Sequence, residues 1–119
     1  MSTLHGTWHP IRAELDGEAA PALALERMEL ILQSDAYSVS FAGMVHDRGT
    51  FIQTASALVL TAHHGPNTGR VIPAIYQLAG DRLRICYGMD GTAPTAFQTS
   101  TGSRRYLVTY RRQPAQDVQ

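Results

Sequence analysis

The sequence predicts an all-β fold, an antiparallel sandwich or barrel, on two observations. From Met28 onward, short apolar stretches are separated by turn residues at intervals of roughly 8–12 residues. Within several of those stretches apolar and smaller or polar residues alternate, which sends neighbouring side chains to opposite faces of a sheet. A length of 119 residues, 44% hydrophobic and 17% charged, suits one domain spanning 1–119 with a core of its own.

In chain order, the one segment that departs from the β pattern is Ala19–Arg27. It holds good helix formers and no glycine, and it reads as a short helix with Pro21 in its first turn, where a missing amide proton costs nothing. It is expected to cap one end of the β structure. After the break Gln33-Ser34-Asp35, Tyr37, Val39 and Phe41 alternate with Ser38, Ser40 and Ala42. Further breaks are expected at Gly43 and at Asp47-Arg48-Gly49, because glycine and aspartate supply unusual dihedrals and local hydrogen bonds. The run Ala57–Thr61 is apolar on both faces, so its inward side stays open.

The glycine-bounded run Gly65-Pro66-Asn67-Thr68-Gly69 reads as a hairpin turn. It lacks the Gly-Lys-Ser/Thr ending of a phosphate-binding loop. Ile72, Ala74, Tyr76 and Leu78 form an inner row, and Ala79-Gly80-Asp81 turns the chain. Leu83, Ile85, Tyr87 and Met89 then share one face, and Arg82, Arg84, Cys86 and Gly88 the other. Breaks follow at Met89-Asp90-Gly91 and Ser100–Ser103. The last strand, Tyr106–Arg112, leaves its inward side open, and residues 113–119 read as an unstructured tail.

Composition removes several functions. The ten basic residues, all arginine, balance ten acidic ones, which argues against non-specific binding of nucleic acid or acidic membranes and for a neutral partner. Without lysine there is no side-chain amine for Schiff-base or pyridoxal phosphate chemistry, and no cofactor is expected. Cys86 is the sole cysteine, so no intrachain disulfide or multi-cysteine metal cluster forms, and a reducing cytoplasm is expected. Met1–Gly6 lacks a secretory h-region, and no apolar run is long enough to span a membrane as a helix.

Three ordered motifs carry a resemblance. They are Leu4-His5-Gly6-Thr7-Trp8, then Gly49-Thr50-Phe51 followed by Gly65-Pro66 and Gly69, and then the hairpin Ile75-Tyr76-Gln77-Leu78-Ala79-Gly80-Asp81-Arg82-Leu83-Arg84-Ile85-Cys86-Tyr87. Together with Pro94 and Phe97 they resemble a bacterial family of small lipocalin-like proteins, matched from Leu4 to Arg112. The resemblance implies an up-and-down, calycin-like barrel of about eight strands holding a small ligand inside or at its mouth. It also implies that Arg111 or Arg112 stacks on Trp8 and seals the barrel base. It implies no activity, since such barrels are reused for many functions.

No reaction motif is present. The five histidines, His5, His9, His46, His63 and His64, contain no His-x-His pair, and no metal site is expected. No G-x-S-x-G elbow accompanies the serines, and Cys86 reads as a small packing residue. The residues expected to line a cavity are Tyr37, Phe41, Leu60, His64, Tyr76, Tyr87, Met89, Phe97 and Tyr106. Two functions follow. One is a monomeric or homodimeric barrel binding a small, mostly apolar molecule. The alternative is a cyclase or isomerase acting on a polyketide-like or other biosynthetic intermediate, with His64 as base, Tyr76 as phenolic acid and Arg48 as oxyanion partner.

Overall fold

The computed structural model describes residues 4–114. In chain order these form β1 (Gly6–Leu15), β2 (Glu18–Ala19), α1 (Ala22–Leu25), β3 (Met28–Gln33), β4 (Ala36–Phe41), β5 (Met44–Gln53), β6 (Ala57–His64), β7 (Val71–Ala79), β8 (Arg82–Gly88) and β9 (Arg105–Arg112). Sequential antiparallel pairing from β3 to β9, with β1 joined to both β3 and β9, closes an up-and-down barrel of eight strands. The two residues of β2 add an extra strand at the margin of β1. No helix among the described residues is long and apolar enough to cross a membrane.

Alternation decides which side chains fill the barrel. Leu58 and Leu60 of β6 are buried while Val59 between them is not, which settles the inward face of that doubly apolar strand. In β9, Val108 and Tyr110 turn inward. Leu30, Leu32, Tyr37, Phe51, Ile72, Ala74, Leu83, Ile85 and Tyr87 belong to the same buried core.

Three local expectations are corrected. The helix occupies only Ala22–Leu25, preceded by an extended Pro21. Proline disfavours helical backbone at the residue before it, and the Ala20 amide donates instead to Ala13 O at 2.9 Å. Asp47-Arg48-Gly49 is no turn but the middle of β5, where the pairing with β6 shifts register. Gly49 serves close approach there, since a Cβ would lie 1.9 Å from Thr61 O. The real turn falls at residues 54–56, where the Thr54 hydroxyl accepts the Ala57 amide at 3.1 Å. Gln113 belongs to the fold, its amide donating to Thr7 O at 2.8 Å, and of the expected tail residues 115–119 lie outside the described residues.

The two ends of the barrel differ. At one end lie the start of β1, the end of β9, and the β3–β4, β5–β6 and β7–β8 hairpins. Trp8, wholly buried, plugs this end and donates from Nε1 to Leu4 O at 2.9 Å. The Arg112 guanidinium lies 4.3 Å above its ring, and Nη1 donates to His5 O at 2.6 Å. The other end carries α1, the β4–β5 hairpin, the β6–β7 loop and the β8–β9 connection.

That last connection folds back along the outside of β8. A Cβ on Gly88 would sit 1.9 Å from Thr92 O, and Arg84 stacks over Phe97 at 4.0 Å. Cys86, on the outer face of β8, is thereby completely buried, its Sγ directed at Gln98 O at 3.9 Å.

Candidate ligand cavity

A cavity of about 190 Å³ opens from the end opposite Trp8. Its deeper wall is Leu30, Tyr37, Leu60, Ile72, Tyr87 and Tyr110, and Met28, Val39, His46, Asp47, Pro66, Asn67, Met89 and Tyr106 line it as well. The strands set this composition by parity: β8 contributes Tyr87, β9 contributes Tyr106 and Tyr110, and β4 contributes Tyr37 and Val39.

Four phenols organise the wall. The Tyr87 and Tyr110 hydroxyls are 2.8 Å apart, and the Tyr87 and Tyr106 rings stack with centroids 5.6 Å apart. Tyr37 donates to Asp47 Oδ1 at 3.3 Å. Burial pushes the Tyr37, Tyr87, Tyr106 and Tyr110 phenols above their ordinary range; the Asp47 carboxylate raises Tyr37 further. All four therefore stay protonated at neutral pH and serve as hydrogen-bond donors.

Asp47 also ties down the β6–β7 loop at the mouth. Its Oδ2 accepts from Asn67 Nδ2 at 3.2 Å, while Arg70 donates to Asn67 Oδ1 at 3.1 Å and to Met89 O. A strap of polar contacts thus joins β5, the loop and the end of β8 beside the opening.

Of the residues expected to line a cavity, Tyr37, Leu60, Tyr87, Met89 and Tyr106 do so. Phe41 is 43% exposed at the end of β4, beside the β4–β5 hairpin, and does not line the cavity. Phe97 lies on the outer surface beneath Arg84. His64 is exposed and does not line the cavity. Tyr76 packs against the core at the plugged end, donating to Thr54 O at 2.7 Å and accepting from Gln53 Nε2 at 3.0 Å. Arg48 lies with Ile31, Gln33 and His63 around a solvent-open hollow of about 340 Å³ on the outer face.

Arg48 and His64 are exposed partners across β5 and β6, but Tyr76 does not join them. The Tyr76 amide bonds Ser56 O at 3.1 Å, and Ser56 and His64 are separated by the length of β6, about 26 Å at ~3.3 Å per residue. Sequence reasoning missed Tyr110 and Asp47. Tyr110 has the same parity as Tyr106 and was legible once β9 was oriented; Asp47 was hidden by its reading as a turn.

Among the described residues no group of three or more His, Cys, Asp and Glu is placed to hold a metal ion. The histidines are scattered: His5 meets Ser34 O, His9 meets Gln113, His63 meets Thr50, and His46 sits on the cavity rim. The fold and cavity define a small closed antiparallel barrel with a tyrosine-walled interior reached from one end. Compared with protein-family models, curated proteins and solved structures, the chain matches none.

Proposed function

We infer that the protein is a lipocalin-like barrel that binds a small, mostly apolar molecule in its interior without transforming it. The observation that carries this reading is the cavity walled by Leu, Ile, Val, Met and Tyr side chains, in a barrel closed at its opposite end by Trp8 under Arg112. Ligand sites are characteristically concave and apolar with a few polar groups that fix orientation, and here the phenols supply those groups. The Arg112–Trp8 stack is the contact that the lipocalin-like resemblance implied.

Size narrows the guest. At about 190 Å³ the cavity is smaller than the ~300–1,000 Å³ of drug-sized sites, and somewhat larger than a ~150 Å³ apolar cavity that accepts benzene. A molecule of about one ring or a short branched chain fits. The cyclase or isomerase alternative lacks the same support, because Tyr76 lies at the plugged end while His64 and Arg48, paired across β5 and β6, are exposed towards the other.

The test is native mass spectrometry of protein purified from its own cells, followed by denaturation and identification of what is released. A retained small apolar compound, absent from a Val39→Phe variant that narrows the cavity, supports binding. Protein that is empty in both forms, and whose thermal midpoint no small apolar compound raises, overturns it.

A further inference from the structure

The phenols of the cavity do not spend all their protons on one another or on Asp47. A phenol pair linked by one hydrogen bond spends one proton and keeps one O–H, so the Tyr87–Tyr110 pair retains a donor. Tyr106 lines the same cavity, and its hydroxyl has no hydrogen-bond partner among the described residues. Tyr37 spends its proton on Asp47, and Asp47 accepts from both Tyr37 and Asn67. Two donors remain.

Charge restricts what can meet them. No arginine lines the cavity, and besides the phenols its titratable groups are the Asp47 carboxylate and the exposed His46 at the rim. An anion buried against the phenols, away from the rim, would lose its hydration with no arginine to meet it and would share the cavity with the Asp47 carboxylate. A cation would find an Asp47 carboxylate that already accepts two hydrogen bonds, and would leave the spare phenol protons unused. An uncharged carbonyl oxygen has two lone pairs for two O–H groups and asks for no counter-ion.

Resting on the binding reading above, the geometry points to a ligand class: an uncharged carbonyl compound with an apolar body of about one ring, its oxygen held by the Tyr106 hydroxyl and the spare O–H of the Tyr87–Tyr110 pair. Burial keeps these phenols protonated, so the donors persist across the neutral range. The stacked Tyr87 and Tyr106 rings offer a flat wall for the apolar body.

Calorimetric titration of the full chain with four matched probes, acetophenone, ethylbenzene, benzoate and benzylamine, tests the class. Acetophenone is expected to bind roughly tenfold more tightly than ethylbenzene, for two phenol hydrogen bonds, with benzoate and benzylamine weaker than both. Tyr106→Phe orphans no protein group, so it should fold; it is expected to remove most of the acetophenone advantage and leave ethylbenzene unchanged. Equal binding of acetophenone and ethylbenzene overturns the carbonyl assignment while sparing the cavity. Tightest binding by benzylamine overturns it in favour of a cation held by aromatic faces and Asp47. Binding by none of the four overturns the cavity reading itself.

Discussion

Removing the Tyr87 and Tyr110 hydroxyls together, as Tyr87→Phe/Tyr110→Phe, should flatten the alkaline end of the stability profile. Burial holds both phenols above the ordinary value of about 10. A group whose folded pKa is raised stabilises the fold fully below its unfolded pKa. That stability is lost as pH rises from the unfolded pKa towards the folded one, because in that window only the unfolded chain releases the proton. Each phenol then costs about 1.4 kcal/mol per pH unit, so the pair costs about 3 kcal/mol at about pH 11. Against a total of about 5–15 kcal/mol this moves a urea midpoint by about 1–3 M. Deleting both hydroxyls at once avoids leaving one buried and unpartnered, so the variant should fold at neutral pH. Urea denaturation of both proteins at about pH 9 and about pH 11 gives the comparison, since every other ionisation is common to the two. An equal loss in both proteins, or tyrosinate absorbance showing the pair ionising in the folded state near about pH 10, would refute the reasoning.

Three further outcomes follow from the packing. Gly49→Ala should destabilise by about 2–3 kcal/mol in urea denaturation, because its Cβ would fall 1.9 Å from Thr61 O within the sheet; an unchanged midpoint would deny the close approach. Arg112→Ala should cost about 1–2 kcal/mol through loss of the stack on Trp8 and the bond to His5 O, with Arg112→Lys restoring only part of it. Cys86, fully buried beneath the β8–β9 connection and with its thiol pushed up by burial, should react with a thiol reagent only as fast as that segment opens; rapid labelling of the native protein would contradict the packing.

Most of the barrel was legible because its signals are local. The alternation Leu83-Ile85-Tyr87 needs only the two-residue period to declare a half-buried strand, and Gly80 takes the positive φ its turn demands. Gly49 shows where local reading fails. The same Asp-Arg-Gly string that makes a turn elsewhere lies mid-strand here, because what selects the glycine is a neighbouring strand's carbonyl, invisible in one dimension. Asp47 was misplaced with it, and the polar end of the cavity went unread.

The site was legible by half for a related reason. Tyr37, Tyr87 and Tyr106 point inward by parity, but parity says nothing about height along the barrel. Tyr76 obeys the inward pattern and still belongs to the plugged end, bonded to Thr54 O, while His64 and Arg48 lie towards the other. Phe97 sits on a connection that folds outside the wall, where strand periodicity has no authority.

The interior itself is tested most directly by titrating the protein with ethylbenzene and following backbone amide NMR signals. Saturable shifts should concentrate on Leu60, Ile72, Tyr87 and Tyr106, with Thr54 and Tyr76 at the plugged end unmoved. Absence of any saturable shift, or shifts confined to Arg48 and His63 around the outer hollow, would contradict a binding cavity inside the barrel.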